Sequence, residues 1–374
     1  MGSRVAIVGA GGFVGARLLS RGIGRSDGEV IAVVRSLSSV ARVANLGAAY
    51  RVADAEKPEA LTRAFAGCDV VVNLSKPSPE RILPTTVTCY RAAVAAGARL
   101  FVHFSSGAVY APVMRADLRD DAPARRDLWM PYAREKARAD EFLRARMPER
   151  RCAVVVLRPT LIWGPGSPYV LGTASALADG SAFLVGDGGG VCDLMYVDDL
   201  VRMVLAVAAH PAPPSGFYNV GDTSVPTWRE YYGALAAGLG VDAERIQQVP
   251  DRYAVGVRDA LDAFRAGAAY RWLKSRLPLE TRAALKRRLV RGSASIASGP
   301  RTPNVTREMW QLQTTRYRLP VTKFAATFGE VRRTSFTDAV AASLAWARFI
   351  GIGEAATAPA AAPEPSAEAM RSLA

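Results

Sequence analysis

Short apolar runs alternate with segments of helical spacing along the first 110 residues of the chain. Each run is rich in β-branched and aromatic residues, which is typical of strands. The intervening segments, such as PEALTRAFAG (58–67) and CYRAAVAAGA (89–98), end at or near a glycine. Because strands that alternate with helices pair in parallel through right-handed crossovers, the pattern predicts an α/β fold with a doubly wound parallel sheet. The predicted strands are RVAIVG (4–9), EVIAVVR (29–35), AAYRVAD (48–54), DVVVNLS (69–75), RLFVHFSS (99–106), CAVVVLRPT (152–160) and GFYNVGD (216–222).

A glycine-rich turn follows the first predicted strand and opens the first predicted helix. GAGGFVG (9–15) holds Gly9, Gly12 and Gly15 at intervals of three. Glycines permit a tight turn and let backbone N–H groups and the helix N-terminus approach a pyrophosphate closely. In this strand–turn–helix context the motif predicts a Rossmann-type fold that binds a dinucleotide cofactor.

The second strand ends at VVRS (33–36), where a residue that contacts the adenosine ribose is expected. An acidic residue there accepts a hydrogen bond from the ribose 2′-hydroxyl and favours NAD. Arg35 stands there instead, and a guanidinium can pair with a 2′-phosphate, so the sequence favours NADP over NAD. An ordinary exposed arginine is the alternative. Asp54, after the third strand, is placed either to accept from the adenine amino group or to cap a turn.

Residues with complementary chemistry follow the fifth predicted strand. It leads into FSSGAVY (104–110), so Ser106 arrives at the carboxyl edge of the sheet, where open parallel sheets bind ligands. Tyr132 and Lys136 in PYAREK (131–136) lie four residues apart, on one face of a predicted helix. An ammonium lowers the pKa of a nearby phenol, which can then exchange a proton with a carbonyl oxygen that a serine hydroxyl binds. A solvated helix face is the alternative explanation of the pair.

These features together resemble the extended branch of the short-chain dehydrogenase/reductase superfamily, which comprises the NAD(P)-dependent epimerase/dehydratase proteins and their reductase relatives. The resemblance runs from Arg4 to about Val225 and returns weakly at LPVTKFAATFGE (319–330). It is carried by the glycine turn, the Tyr132-x-x-x-Lys136 pair, SSGAVY (105–110), LRPTLIWGPG (157–166), GDG (186–188), MYVDDL (195–200) and YNVGD (218–222).

The resemblance implies an enzyme that transfers a hydride. It implies Tyr132 as the catalytic acid/base, Lys136 as the partner that lowers its pKa and binds the ribose, and Ser106 at the family's serine/threonine position. The expected cofactor-binding residues are Gly9, Gly12, Phe13, Val14, Gly15, Arg35, Asp54, Leu74, Tyr132, Lys136 and Pro159.

The chain divides into parts according to these motifs. We assign residues 1–165, with a returning segment at about 196–225, to an NAD(P)-binding domain. Residues 166–195 and 226–352 are expected to form a smaller, mainly helical substrate lobe. The last residues, 353–374, are rich in alanine and proline, which is typical of a disordered tail.

The chain is basic, with a formal net charge of +14. The aromatic–basic pattern of a nucleic-acid platform is absent, so we expect a small-molecule substrate, no nucleic-acid partner and a homodimeric assembly. His103 and His210 are too far apart to suggest a metal site. The start, MGSRVAIVGA, passes directly into a strand pattern, and no apolar run approaches the ~20 residues that span a membrane. With four scattered cysteines and no CxxC pair, we expect a cytoplasmic protein with reduced thiols.

A basic stretch, YRWLKSRLPLETRAALKRRLVRG (270–292), interrupts the family pattern inside the expected substrate lobe. Leu285 and Leu289 lie four residues apart among lysines and arginines. Such a helix can rest on an anionic membrane surface, or it can form a lid with a solvated basic face. We expect the wider segment 251–310 to face a phosphate-bearing or membrane-associated ligand.

Nucleotide sugars are the leading substrate class that the resemblance implies. Cys192, however, stands where relatives that bind nucleotide sugars typically have an arginine facing the diphosphate. Together with Arg35, this favours a reductase with net redox turnover over an epimerase that recycles its own hydride. The alternatives are a hydroxysteroid- or dihydroflavonol-type ketoreductase and a non-catalytic NADP-binding regulator.

Overall fold

A central sheet of seven parallel strands organises the residues that the computed structural model describes, namely 3–22, 29–111, 118–125, 127–224, 226–253 and 301–352. The strands in chain order are β1 (Val5–Val8), β2 (Val30–Val34), β3 (Ala49–Val52), β4 (Val70–Asn73), β5 (Leu100–Phe104), β6 (Ala153–Pro159), β7 (Leu161–Trp163), β8 (Phe183–Val185), β9 (Leu194–Tyr196), β10 (Gly216–Val220) and β11 (Gln247–Val249). The central sheet has the order β3-β2-β1-β4-β5-β6-β10, and its strands are the seven that the sequence predicted.

The strand order reverses between β1 and β4. β1 pairs with β2 on one side and with β4 on the other, so that Val8 lies level with Val33 and Asn73. The loops that leave the carboxyl ends of these two strands diverge, and in open α/β sheets this divergence forms the ligand crevice. The predicted α/β fold with a doubly wound parallel sheet is confirmed.

Helices cover both faces of the sheet. Leu18 and Leu200 pack on one face with Ile7 of β1, whereas Phe65 and Val8 belong to the cluster on the other face. Neighbouring residues of β1 thus point to opposite faces, as the pleat of a strand requires. In chain order along the described residues, the helices are α1 (Phe13–Gly22), α2 (Leu37–Ala44), α3 (Pro58–Phe65), α4 (Pro79–Ala95), α5 (Pro131–Arg144), α6 (Pro168–Ala178), α7 (Val197–Ala209), α8 (Trp228–Leu239), α9 (Arg307–Thr314), α10 (Thr322–Phe328) and α11 (Phe336–Phe349).

The elements outside the central sheet and its helices pack around a separate apolar cluster. β7 pairs with β9, and β8 pairs with β11. Helices α6, α8 and α11 pack with Trp163, whose ring centroid lies 5.6 Å from that of Tyr231 and 5.8 Å from that of Tyr196. The C-terminal part of the described chain is mostly helical, as predicted.

Two ion pairs hold α1 against α7. Arg17 Nη2 donates to Asp198 Oδ2 at 2.8 Å, and Arg21 Nη2 donates to the same oxygen at 3.0 Å. Asp198 belongs to the MYVDDL motif, and α1 begins at the glycine turn. The ion pairs between α1 and α7 therefore help to fix the position of the glycine turn at the start of α1.

Several expectations fall outside the described ranges. The basic stretch 270–292, most of the segment 251–310 and the tail 353–374 are among them. Within the ranges that are described, no helix is both long and apolar enough to cross a membrane.

Candidate active site

The glycine turn after β1 has a backbone that only glycine accommodates. Gly9 has φ +83°, and a Cβ on it would lie 3.0 Å from the backbone of Leu74 and of Ser75. A Cβ on Gly15 would lie 2.4 Å from the carbonyl oxygen of Gly9. These close approaches explain why glycine stands at both positions.

Some backbone N–H groups of the turn are paired within it and others are not. Gly12 N donates to Gly9 O at 3.0 Å, and Ala16 N donates to Gly12 O at 2.8 Å. The amides of Phe13 and Val14, in the first turn of α1, have no intrahelical acceptor. The three glycines, Phe13 and Val14 thus form one edge of the crevice, and their N–H groups suit the pyrophosphate of a dinucleotide.

A polar cluster follows β2 and lies beside the glycine turn. Arg35 is exposed at the end of β2, and Ser36 Oγ lies 2.9 Å from Ser38 Oγ and 3.1 Å from Ser39 Oγ. Arg42 approaches the turn, because a Cβ on Gly11 would lie 3.5 Å from its side chain. Neither guanidinium has a hydrogen bond or ion pair with another described residue. The hydroxyls and two free guanidiniums suit a phosphate group.

The other expected cofactor residues lie along the same edge of the sheet. Leu74 N donates to Val8 O at 3.0 Å, and Pro159 is buried at the end of β6. Asp54 Oδ1 accepts a hydrogen bond from Glu56 N at 3.1 Å, so the turn-capping alternative describes one of its contacts. No described residue donates a hydrogen bond to the other carboxylate oxygen of Asp54, so that oxygen can accept one from a ligand.

Ser106 and Tyr132 meet at the carboxyl end of β5. Ser106 caps a 3-10 helix (Gly107–Tyr110), since its Oγ accepts from Ala108 N at 3.1 Å. Burial raises the pKa of Tyr132, and a hydrogen bond with Ser106 opposes that rise. The serine therefore favours the phenolate form, which a proton-transfer group must reach.

Lys136 lies beneath the tyrosine on the same face of α5. Its Nζ is 5.9 Å from the centroid of the Tyr132 ring and donates to the carbonyl oxygen of Phe104. Lys136 is only 3% exposed, which excludes a solvated helix face for this residue. Burial lowers the pKa of Lys136 to about 8, and the carboxylate of Asp140 opposes this shift.

A second cation faces Tyr132 and was not anticipated from the sequence. Lys76, just after β4, places its Nζ 5.4 Å from the centroid of the Tyr132 ring. Unlike Lys136 it is exposed. The signal in the sequence is its position after the carboxyl end of a central strand, the same rule that places Ser106 beside the ligand crevice.

A buried ion pair supports α5 from below and was also missed. Arg158 Nε donates to Asp140 Oδ2 at 2.9 Å, and Arg158 Nη1 donates to the phenol oxygen of Tyr110. Asp140 is one helical turn beyond Lys136, so one carboxylate faces two buried cations. The sequence indicates Arg158 only as part of the family motif LRPTLIWGPG.

Helix α9 reaches the segment that leads into α5. Trp129 Nε1 donates to Gln311 Oε1 at 2.8 Å, and the guanidinium carbon of Arg307 lies 4.7 Å from the Trp129 ring centroid. The charge of Glu308, on the same helix, contributes to raising the pKa of Tyr132. The C-terminal elements therefore form one wall beside the tyrosine.

Cys192 lies inside the C-terminal cluster. It is fully buried, and burial raises the pKa of its thiol well above the usual range. It packs in the same cluster as Trp228 and Tyr231. A thiol in this position provides neither the charge nor the exposure that a diphosphate contact requires.

Comparison with known proteins identifies the family. A model of the NAD dependent epimerase/dehydratase family matches residues 5–221. The 2-alkyl-3-oxoalkanoate reductase of Stenotrophomonas maltophilia (strain K279a) is 30% identical over 257 residues, which cover 63% of this chain and 76% of that protein. The UDP-glucose 4-epimerase of Mycolicibacterium smegmatis is 28% identical over 299 residues, which cover 72% and 93%.

A solved structure agrees at the level of the fold. The dTDP-glucose 4,6-dehydratase of Streptomyces venezuelae, determined with NAD and TYD bound, superposes with a TM-score of 0.66 at 22% identity and covers 92% of this chain and 97% of that one. The resemblance inferred from the glycine turn and the tyrosine–lysine pair is thereby confirmed. The chain belongs to the NAD dependent epimerase/dehydratase family, and it is an enzyme of the oxidoreductase or epimerase type that this family comprises.

Proposed function

We propose that this enzyme is an NADP-dependent carbonyl reductase in which Tyr132 is the catalytic acid. The observation that carries the proposal is the arrangement of Ser106, Tyr132 and Lys136 at the carboxyl edge of the sheet. The phenol has a serine hydroxyl as hydrogen-bond partner and a buried ammonium 5.9 Å from its ring centroid. This arrangement suits proton transfer at an oxygen whose carbon receives a hydride.

The nicotinamide cofactor, when bound, supplies the hydride that the carbonyl carbon receives. Tyr132 donates its phenolic proton to the carbonyl oxygen, so that the carbonyl becomes an alcohol. Ser106 binds the same oxygen and orients it toward the phenol. Lys136 stabilises the phenolate that remains, because an ammonium beside an anion in a buried site interacts more strongly than in water.

NADP is the proposed cofactor because of the polar cluster after β2. Arg35 and Arg42 have no anionic partner among the described residues, and the hydroxyls of Ser36 and Ser39 lie between them in the sequence. An unpaired guanidinium beside hydroxyl donors favours a 2′-phosphate over a 2′-hydroxyl. NAD remains the less favoured cofactor.

The substrate is proposed to bind between Tyr132 and helix α9. We assign residues 166–195 and 226–352 to the substrate lobe, since α9 contacts Trp129 three residues before the tyrosine. Residues 1–165 and the returning segment at about 196–225 form the proposed cofactor domain. Burial raises the pKa of the Tyr169 phenol there, and the charge of Glu308 adds to the rise.

A nucleotide-sugar epimerase or dehydratase is the second candidate. It is favoured by the relative named UDP-glucose 4-epimerase, which this chain matches over 93% of that protein's length. Against it, a buried cysteine, Cys192, stands where the family resemblance leads us to expect an arginine that contacts the diphosphate. A reductase also explains Arg35 better, because net reduction draws on a separate pool of reduced cofactor.

Turnover with a substrate panel separates the candidates. The purified full-length chain is mixed with NADPH or NADH and with simple ketones, 3-oxo acids and their esters, UDP-glucose and dTDP-glucose. Reduced nicotinamide is followed by absorbance and products by mass spectrometry, with Tyr132→Phe as the control. We expect one NADPH to be consumed for each alcohol formed.

Two results would contradict the proposal. Isomerised nucleotide sugar without net NADPH consumption would establish the epimerase. Tight NADP(H) binding without conversion of any member of the panel would favour the non-catalytic regulator.

A further inference from the structure

Lys76 is the exposed cation nearest to the proposed proton donor among the described residues. Its Nζ lies 5.4 Å from the Tyr132 ring centroid, closer than the Nζ of Lys136 at 5.9 Å. Lys136 is buried and donates to Phe104 O, whereas Lys76 is exposed and has no hydrogen bond or ion pair with another described residue. Two ammonium groups thus face one phenol, and only Lys76 is accessible to a ligand.

The backbone that carries Lys76 is held in place. Asn73 Oδ1 accepts hydrogen bonds from Ser75 N at 3.1 Å and from Ser75 Oγ at 2.6 Å. Asn73 is buried at the end of β4, and Pro77 restricts the backbone of the residue before it. The ammonium is therefore presented from a fixed main chain at the mouth of the crevice.

The charges around Tyr132 show what Lys76 can bind. Asp140 is buried and already pairs with Arg158 at 2.9 Å. Glu308 lies on α9, where its charge contributes to raising the pKa of Tyr132, and it forms no ion pair with Lys76. The cation of Lys76 thus has no carboxylate of its own in the described chain, and an unpaired ammonium beside a substrate site favours an anionic ligand.

We infer that Lys76 binds a carboxylate of the substrate, so that the preferred substrates are oxo acids with the carboxylate close to the carbonyl that is reduced. This rests on the proposed reductase function. With the carbonyl oxygen at Tyr132 and Ser106, a carboxylate one or two carbons from the carbonyl lies near an ammonium that is 5.4 Å from the centroid of the tyrosine ring. The similarity to a 2-alkyl-3-oxoalkanoate reductase is in accord with this class.

The test compares an acid with its neutral ester. KM and kcat are measured for 3-oxohexanoate and methyl 3-oxohexanoate with the wild-type enzyme, with Lys76→Met and with Lys57→Met, which removes an exposed lysine at the start of α3. The dissociation constant of NADPH is measured for each protein by fluorescence titration. We expect Lys76→Met to raise KM for the acid about 10- to 100-fold, as for loss of a charged hydrogen bond, and to leave the ester and NADPH unaffected.

Each other outcome overturns the inference. Equal losses of kcat for the acid and the ester would mean that Lys76 acts on the pKa of the Tyr132 phenol and does not bind the substrate carboxylate. Weaker NADPH binding by Lys76→Met would assign Lys76 to the phosphates of the cofactor. A wild-type enzyme that reduces the ester, a neutral ketone or a nucleotide sugar but not the acid would refute the inference and leave the reductase intact. Failure to oxidise NADPH with any carbonyl compound refutes the proposed function itself.

Discussion

Arg158 and Asp140 form an ion pair that is removed from solvent. Arg158 Nε and Asp140 Oδ2 are 2.9 Å apart, and the two side chains are 0% and 2% exposed. The guanidinium carbon also lies 4.3 Å from the ring centroid of Phe217. Because Asp140 follows Lys136 by one helical turn, this pair fixes the helix on which the proposed catalytic residues lie.

Breaking this pair should destabilise the protein strongly. Arg158→Met removes the ion-pair partner of the buried Asp140 carboxylate, and we expect the free energy of unfolding to fall by about 3–5 kcal/mol. The double variant Arg158→Met/Asp140→Leu should recover part of that loss, since the buried carboxylate is removed together with its cation. Urea unfolding measures both, and Glu29→Gln in the exposed pair Arg4–Glu29 is the control, expected within about 1 kcal/mol of wild type. A double variant no more stable than the single one contradicts this account.

Substitutions of Tyr132 and of Lys136 should differ in their effects on kcat and on NADPH binding. Tyr132→Phe removes only the proton that is transferred, so kcat should fall about 10²- to 10⁴-fold with the NADPH dissociation constant nearly unchanged. Lys136→Met should lower kcat and also weaken NADPH binding, because the ammonium is proposed to bind the ribose and to stabilise the phenolate. Stopped-flow turnover and fluorescence titration measure the two quantities, with Tyr50→Phe on β3 as the control. A Tyr132→Phe enzyme that kept a tenth of the rate would remove Tyr132 from the mechanism.

The preference for NADP should depend on the end of β2. Arg35→Asp replaces a guanidinium with a carboxylate that repels a 2′-phosphate and accepts from a 2′-hydroxyl, so the affinity order of NADPH and NADH should reverse. Arg42→Met should weaken NADPH alone. Arg91→Asp on α4 makes the same charge change away from β2 and should alter neither affinity. Tighter binding of NADH by the wild-type protein would contradict the assignment.

The strands and the glycine turn were predictable because local signals determine them. Each of the seven sheet strands is a short β-rich run, and Gly9 stands at a positive φ that glycine favours. α4 was predicted only in part: it begins at Pro79, ten residues before the helical pattern at Cys89, and contains Pro84. Burial of Ile82, Thr85 and Thr86 accompanies that first half, and local propensity does not indicate such tertiary packing.

The site was predictable where spacing alone brings residues together. Tyr132 and Lys136 are one helical turn apart, so their proximity follows from the sequence. Lys76 is 56 positions from Tyr132 in the chain, and Asp140 is 18 from Arg158. Both contacts depend on the order of β4, β5 and β6 in the sheet, which no local pattern specifies.

Substitution of Gly15 should show whether the glycine turn binds the pyrophosphate of the cofactor. A Cβ there would lie 2.4 Å from Gly9 O, so Gly15→Ala must displace α1 or the turn, at a cost of about 1–3 kcal/mol in unfolding free energy. NADPH affinity should fall more than about tenfold, as the N–H groups lose their alignment. Gly172→Ala in α6 is the matched control, because its Cβ meets no atom within 4 Å and alanine favours helix by up to about 1 kcal/mol. Wild-type affinity in Gly15→Ala would exclude the turn as the pyrophosphate site.

The pH dependence of stability should be governed in part by Asp222. Burial raises the pKa of Asp222 to about 7, the charge of Asp199 adds to the rise, and Arg333, 3.8 Å away, opposes it. The folded protein therefore binds more protons than the unfolded chain, whose aspartates titrate near about 4, and stability falls as pH rises between about 4 and 7.

Asp222→Asn removes that dependence while keeping an acceptor for the backbone N–H of Tyr196. We expect it to raise the free energy of unfolding at about pH 8 by roughly 1–3 kcal/mol, and to have little effect below about pH 3, where Asp222 is protonated in both states. Part of the slope should persist, because burial raises the pKa of Asp193 to about 6. Urea unfolding at several pH values measures this, with exposed Asp251→Asn as the control. If Asp222→Asn destabilises at pH 8, the ion pair with Arg333 outweighs the desolvation of the carboxylate, and the raised pKa is wrong.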